Sequence, residues 1–297
     1  MMHADVTPAY KRSFLRERLA TGELLVFPGA FNPLSAMLIA QKEFDGVYIS
    51  GAVMAADLGL PDVGLTTLSE VAQRSAQITR MVPLPTLVDA DTGFGEPINV
   101  ARTVQVLEDA GVSALHLEDQ INPKRCGHLD GKQIVDEVTA IRRVTAAVYA
   151  RRDLNLMIIA RTDIRAVDGL TATIERAKAL QGAGADAIFP EALVDESEFA
   201  TLRSALEVPI LANMTEFGKS QLLTTHQLAD LGVNIVIYPV SLLRLAMGAS
   251  SRALDTLRRE GSLSSVISEM QDRATLYELL DYASYAEYDE SVFNFTL

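Results

Sequence analysis

The stretch LPTLVDADTGFGEPINVARTVQVLEDAGVSALHLED, residues 84–119, decides how this chain is read. It opens on a short, nearly unbroken apolar run, Leu84–Asp89. Continuous rather than alternating apolarity suits a strand buried on both faces, as in a parallel sheet. A glycine-bearing turn follows, then a helical pattern over Asn99–Ala110 that stops at Gly111. A second apolar run, Ala114–Leu117, ends on Glu118 and Asp119.

The same alternation continues on both sides. Apolar runs at Leu24–Pro28, Gly46–Ser50, Leu156–Ala160, Ala185–Phe189, Pro209–Ala212 and Ile235–Tyr238 complete a set of eight. Helical patterns cover Glu70–Met81 (with Ser69 as N-cap), Ile134–Arg151, Thr171–Ala183, Ser197–Leu206, Thr225–Leu231 and Ser241–Glu260. Eight strands alternating with helices predict an α/β fold, a (β/α)8 TIM-type barrel. A doubly wound open sheet is the alternative, but Gly29-Ala30-Phe31-Asn32-Pro33 after the first run is not a dinucleotide fingerprint. No linker-like segment divides the 297 residues. The expected organisation is therefore a single barrel domain over 1–297, with 241–297 as a C-terminal helical segment. That surplus exceeds what a barrel needs and is of a kind that often serves assembly.

A net charge of −13 argues against a nucleic-acid partner, since binding there depends on neutralising phosphates. It leaves anionic small substrates open, because local clusters set the field inside a cleft. One cysteine forms no internal disulfide. Met1–Leu19 is charged and lacks the apolar core of a secretory signal, and no apolar run reaches bilayer length. A cytoplasmic protein with no membrane partner is expected.

The polar residues Ser50, Asp89, Asp91, Glu118, Asp119, Arg161, Asp163, Glu191 and Asn213 stand at or just beyond the C-terminal ends of the apolar runs. In a barrel those ends converge on one mouth. In an extended strand Asp89 and Asp91 would share a face, and two such carboxylates call for a cation between them. Oxygen ligands without Cys or His favour Mg²⁺, with Mn²⁺ as substitute; a pair of turn aspartates is the plainer alternative. Lys124-Arg125-Cys126-Gly127-His128 surrounds a thiol with cations, which would lower its pKa. Asn122-Pro123 and Gly127 mark this segment as a loop able to act as a lid. The alternative is a surface loop with an incidental thiol; metal ligation by Cys126 and His128 lacks further partners. Arg161 is placed to grip a substrate carboxylate, whereas Arg244 and Arg273 read by default as solvated helix charges. His116 reads as a core or supporting residue, His226 as a helix start, and His3 as part of a terminus.

The motifs YISG (48–51), LGLPD (58–62), VDADTGFG (88–95), HLEDQ (116–120), KRCGH (124–128), ARTD (160–163), FPEA (189–192) and ILANMTEFG (210–218) occur in this order. A chain carrying them resembles the isocitrate lyase / phosphoenolpyruvate mutase superfamily, and within it the 2-methylisocitrate lyases. The resemblance implies a homotetramer of paired barrels that exchange C-terminal helices. It implies Mg²⁺ on Asp89 and Asp91 with Glu118 behind them, and a carboxylate cradle at Ser50, Gly51 and Ala52. Ala52 and Val53 depart there from a more glycine-rich run. Cys126, Gly127, Arg161, Glu191, Asn213, Met214 and Thr215 would contact a small tri- or dicarboxylate substrate. Arg244 and Arg273 match the superfamily's late arginines, which reverses their default reading. Asp62 and Tyr48 would lie near the reacting centre. The implied reaction is a Mg-dependent retro-Claisen cleavage of 2-methylisocitrate to pyruvate and succinate, the lyase step of the methylcitrate cycle in propionate catabolism. Cys126 would protonate the succinate carbanion, with Tyr48, Glu118 or a metal-linked water as base. Phe189, Ile237 and Pro239 would form a pocket for the extra methyl. Isocitrate lyase, oxaloacetate hydrolase and dimethylmalate lyase are the alternatives.

Overall fold

A computed structural model describes residues 4–129 and 131–293, so His3 lies outside the described residues. The eight apolar runs become strands β1 (Leu25–Pro28), β2 (Val47–Ile49), β3 (Thr86–Asp89), β4 (Ala114–Glu118), β5 (Met157–Thr162), β6 (Ala187–Pro190), β7 (Leu211–Asn213) and β8 (Ile235–Tyr238). All paired strands are parallel; β2 to β6 are hydrogen-bonded in sequence order, and β8 lies between β1 and β7. Single bridges, Gly29 to Tyr48 and Ile188 to Ile210, join the two ladders at both seams. The ring is therefore closed in the order 1 to 8, which excludes the open sheet.

Among the described residues, twelve α-helices surround and extend the ring: α1 (Pro8–Ala20), α2 (Pro33–Gln41), α3 (Gly51–Asp57), α4 (Leu68–Thr79), α5 (Pro97–Asp109), α6 (Glu137–Ala150), α7 (Arg165–Gly182), α8 (Glu196–Ala205), α9 (Thr225–Asp230), α10 (Ser241–Glu260), α11 (Arg273–Leu279) and α12 (Tyr282–Phe293). Helix α4 starts two residues before the sequence expectation. Its N-cap is Thr67, not Ser69, because Glu70 returns a carboxylate oxygen to the Thr67 N–H (2.7 Å) while the Thr67 hydroxyl accepts from the Glu70 N–H. Helix α7 starts at Arg165 rather than Thr171, with a kink at Gly169 (φ 80°) that obscures its first turn in the sequence pattern.

Side-chain alternation along the strands organises the interior. Phe27, Tyr48, Leu87, Ala114, Met157, Ile159, Ala187, Phe189, Leu211, Ile235 and Ile237 point inward and pack on each other. Leu15 and Leu19 of α1 close the floor beneath them. Fully burying one such side chain contributes about 1.5–3 kcal/mol. The intervening residues Val88, Leu115, Leu117 and Ile158 face outward and hold the helix layer on one side of the ring; Ile188, Ala212 and Val236 do so on the other.

Helix α1 is anchored by polar contacts as well. The Lys11 ammonium donates to the Thr79 carbonyl (2.7 Å) and the Val82 carbonyl. The Arg12 guanidinium donates to the Val112 (2.9 Å) and Glu108 (2.7 Å) carbonyls. At the other end of the chain, α10 buries only Thr256 and leaves Leu245, Met247, Leu254 and Leu257 exposed.

Candidate active site

Two residues beyond the inward apolar layer, the same inward register changes from hydrocarbon to charge. Leu87 is followed by Asp89, Ala114 by His116 and Glu118, Ile159 by Arg161 and Asp163, Phe189 by Glu191, and Leu211 by Asn213. Of these, Asp89, Arg161, Glu191 and Asn213 line a cavity of about 250 Å³ at the C-terminal mouth of the barrel. Of the expected site residues, Tyr48, Ser50, Ala52, Asp62, Asp89, Cys126, Gly127, Arg161, Glu191, Asn213, Thr215 and Arg244 line it. Lys124 and His128, taken in the sequence only as neighbours of the thiol, line it too.

The acidic pair is not arranged as two positions on one strand. Asp91 has a left-handed backbone (φ 47°), so the chain turns back after Asp89. The Asp91 N–H donates to Asp89 Oδ1 (3.0 Å), and the Gly51 N–H donates to Asp89 Oδ2 (3.2 Å). Gly51 is required here: a Cβ would lie 2.8 Å from Asp89 Oδ2 and 3.3 Å from Asp91 Oδ1. Both carboxylates thus converge over one glycine. With its N–H given to Asp89, Gly51 belongs to the support of the acidic pair rather than to the expected carboxylate cradle.

Burial and the charge of Asp89 push the Asp91 carboxyl up. Burial also opposes ionisation of Asp89, but its interaction with His116 and the charges of Lys124 and Arg161 outweigh it and hold that carboxyl below its ordinary value. The Lys124 ammonium bridges Asp62 and Asp91 Oδ1 (2.8 Å from the latter). Asp91 Oδ1 is buried and accepts no directed hydrogen bond. Among the described residues no group of three or more His, Cys, Asp or Glu forms a metal cage. A converging carboxylate pair, with Asp91 Oδ1 met by the Lys124 ammonium and by no directed hydrogen bond, instead fits a hard cation that keeps most of its waters, as Mg²⁺ does.

Arg161 is the hub of the mouth. Its Nε and Nη2 donate to Asp163 Oδ2 (2.9 Å) and Oδ1 (3.1 Å). Nη1 lies 3.2 Å from Glu118 Oε2, and Nη2 lies 3.3 Å from Glu191 Oε2. Its guanidinium carbon sits 5.1 Å from the centre of the Phe189 ring. Although burial works against its charge, these carboxylates hold Arg161 firmly protonated. Burial likewise opposes charge on Glu191, but Arg161 and His128 keep its carboxyl well below the usual range. Glu118 goes the other way, pushed well up by burial, with neither carboxylate oxygen in a directed hydrogen bond.

Tyr48 and His116 form a pair that the sequence reading separated. The Tyr48 hydroxyl lies 2.7 Å from His116 Nε2, and His116 Nδ1 lies 3.8 Å from Asp89 Oδ1. Burial lowers the His116 pKa to about 4, so the imidazole is neutral. Its proton belongs on Nδ1, facing the carboxylate, which leaves Nε2 to accept from Tyr48. Burial and Asp89 raise the Tyr48 pKa well above its ordinary value and keep it a phenol.

The expectation that Cys126 carries a lowered pKa is overturned. Burial pushes the thiol up, opposed mainly by the His128 backbone N–H. The neighbouring polar groups are engaged elsewhere: Lys124 by Asp62 and Asp91, and His128 Nε2 by Glu191 Oε1 at 3.1 Å. His128 Nδ1 also accepts the Lys219 N–H (3.0 Å), which ties the cysteine loop to the loop after β7.

Several other expectations change. Met214 faces away from the cavity into the outer core, where its sulfur accepts the Leu223 N–H. Asp119 also points outward, held by Thr162 (2.7 Å) and Arg176 (2.8 Å), so it supports the barrel wall rather than the acidic pair. Ile237 lies in the inward layer beneath the cavity, and Arg161 lies over the Phe189 face. Phe189 still lines the cavity, as do the apolar residues Pro239, Val240, Leu129 and Phe217. Glu118 and Asp91 lie behind the cavity wall, and Arg273, the first residue of α11, is not among the residues lining the cavity. Arg244 stands at the rim, bonded to Thr215 (3.1 Å) and Glu216 (3.0 Å). His226 is a surface residue paired with Asp230, in keeping with its reading as a helix start.

Residues 15–258 match the phosphoenolpyruvate phosphomutase family. With this match, the chain belongs to the phosphoenolpyruvate mutase/isocitrate lyase superfamily. The relatives it resembles over nearly its full length are 2-methylisocitrate lyases. It is 55% identical over 296 residues to probable 2-methylisocitrate lyase 2 of Corynebacterium glutamicum, covering 100% of this chain and 96% of that one. It is 44% identical over 278 residues to the 2-methylisocitrate lyase of Aeropyrum pernix, covering 94% and 90%. Among solved structures it resembles 2,3-dimethylmalate lyase (TM-score 0.89, 32% identity, 97% and 96% covered). It also resembles phosphonopyruvate hydrolase in complex with oxalate and Mg²⁺ (TM-score 0.86, 30% identity, 94% and 98% covered).

Proposed function

We propose that the protein is a Mg²⁺-dependent lyase that cleaves 2-methylisocitrate to pyruvate and succinate, the lyase step of the methylcitrate cycle in propionate catabolism. The observation that carries this reading is a thiol kept protonated in the same cavity as Asp89, one of a converging carboxylate pair, and a carboxylate-bound arginine. The 55% identity to a probable 2-methylisocitrate lyase supports the substrate.

Asp89 and Asp91 would hold Mg²⁺, or Mn²⁺ in its place, supplying positive charge to the oxygens of the half that becomes pyruvate. Arg161, braced by Asp163, binds a substrate carboxylate without reorganising, and Glu191, Asn213 and Thr215 orient the remainder. At the rim, Arg244 exchanges Glu216 for a second carboxylate. Tyr48, in the cavity, is placed to accept the substrate's hydroxyl proton while passing its own to the neutral His116 at Nε2. As the C–C bond breaks, its electron pair stays on the succinate half. The Cys126 thiol gives its proton to that carbon, and the thiolate is reprotonated from solvent. The upward shift leaves the thiol protonated at rest, the state in which it can serve as an acid.

The chain acts as one barrel unit in the cytoplasm and assembles as a homotetramer that exchanges C-terminal helices. Support comes from the exposed apolar residues of α10 and from an apolar groove of about 460 Å³ on the outside of the barrel. Val26, Pro28, Leu38, Phe44 and Tyr238 are among the residues lining that groove. In such an assembly Arg273 serves a neighbouring mouth.

The test is turnover of 2-methylisocitrate, isocitrate, 2,3-dimethylmalate and oxaloacetate, each with Mg²⁺ and with EDTA. Succinate from 2-methylisocitrate, lost in EDTA, is expected. Absence of succinate with activity on 2,3-dimethylmalate would transfer the assignment to that structurally similar lyase.

A further inference from the structure

We propose that Lys132 is the positioning residue of the cysteine loop, its buried ammonium joining the Gly127 carbonyl to Asp163 and through it to Arg161. This rests on the reading of Cys126 as the acid.

Lys132 is only 7% exposed, and lysine is almost never buried this far without partners. Its ammonium donates to the Gly127 carbonyl and to Asp163 Oδ1 (2.9 Å). Asp163 is fully buried and fixed from two further sides. It accepts both Arg161 contacts, and its own N–H donates to Asp119 Oδ1 (2.9 Å). Lys132 therefore ties the residue next to the thiol to the anchor that sets the arginine.

The seat of Gly127 has no slack. A Cβ there would meet Arg161 Nη2 and a Glu191 oxygen at 2.6 Å. The backbone of the loop lies flush on the Arg161–Glu191 pair, so the height of Cys126 above the cavity follows the height of Gly127. The loop's other ties act on either side. The Arg125 N–H and carbonyl bond to the Gln120 amide (2.9 Å each), and His128 bonds to Glu191 and the Lys219 N–H. Lys132 alone among these side chains holds the Gly127 carbonyl. It does not line the cavity, so it acts through the loop and not on substrate. Arg161 keeps both Asp163 contacts without it, so substrate binding should survive its loss better than proton delivery.

The single cysteine makes the test direct, because any thiol reagent reports on Cys126. In Lys132→Met, alkylation by an uncharged maleimide at pH 8 without substrate should run about 5-fold faster or more, as the loop is released from its seat. With 2-methylisocitrate, kcat should fall about 10–100-fold with KM changed by less than about 3-fold, the signature of a misplaced acid. Lys11→Met, which removes a buried lysine at the opposite end of the barrel, should leave the alkylation rate unchanged. Should Lys132→Met not fold, Lys132→Gln gives the same readout, because glutamine is one atom shorter and cannot span both acceptors. Wild-type alkylation and kcat in whichever variant folds would overturn the proposal. So would equal acceleration in Lys11→Met, which would assign the effect to general loosening. If wild-type protein turns over no 2-methylisocitrate, the lyase reading fails while the alkylation arm still decides the role of Lys132.

Discussion

The floor and the mouth of the barrel both bury charge, and they treat it in opposite ways. At the floor, Lys11 and Arg12 give their protons to backbone carbonyls. Beside them, Glu108 accepts the backbone N–H groups of Arg152 (3.0 Å) and Asp153 (2.9 Å). At the mouth, Asp91 Oδ1, both oxygens of Glu118, His116 Nδ1 and Asn213 Oδ1 are buried without a directed hydrogen bond. These are five of the nine such side-chain atoms among the described residues, gathered in one small volume. Asp91 Oδ1 and Glu118 Oε2 are offset by their ion pairs to Lys124 and Arg161; a buried group with no partner costs about 1–3 kcal/mol of desolvation. The floor uses polar groups to complete the fold. The mouth holds its groups ready for something outside the fold, at the expense of stability.

That contrast can be broken by experiment. The largest effect is expected for Asp91→Asn, which should lower kcat by about 10³-fold while leaving thermal stability equal or higher, because burial and Asp89 already disfavour the charge removed. Loss of the fold together with activity would erase the distinction between the two ends. Cys126→Ser comes next, with kcat down by about 10²–10⁴-fold and calorimetric substrate affinity retained. Turnover at the wild-type rate would take the thiol out of the reaction.

The floor should respond in the reverse sense. Arg12→Met strands the Val112 and Glu108 carbonyls and should destabilise by about 2–4 kcal/mol in denaturant titration. The kcat of the folded fraction should not move. The smallest effect is a pH slope. Burial lowers the Lys11 pKa from 10.5 to about 8. Between those values the unfolded chain holds a proton that the folded chain has released, so this residue's contribution to stability rises with pH across that window. Lys11→Met should remove that rise, and an unchanged slope in the variant would place its origin elsewhere.

Much of this was legible in the sequence, for reasons that differ by residue. The eight strands stood out because parallel strands buried on both faces are continuous apolar runs, and each observed strand falls within two residues of its run. Asp89, Arg161, Glu191 and Asn213 were legible because they end those runs. The thiol's environment was not, since Lys124 is adjacent to Cys126 in sequence only as far as the backbone; its ammonium reaches Asp62, far away along the chain. Met214 was misplaced because it follows Asn213 by one residue, and one residue reverses the face. The same alternation was available to find the Tyr48–His116 pair, both of which share the inward register of the charged residues. Nothing local singles out Lys132, whose partners come together only in the folded chain.

The inward alternation that carries Leu87 into Asp89 and Ile159 into Arg161 has a consequence for insertion and deletion. A strand in this ring has a reading frame of two. Adding or removing one residue upstream within β3 or β5 would turn the carboxylate or guanidinium toward the helices and bring a helix-facing apolar residue to the mouth. Length changes are therefore tolerable in the connections and forbidden in odd steps inside the strands, which makes the barrel wall a stricter grammar for this chain than any single side chain it displays.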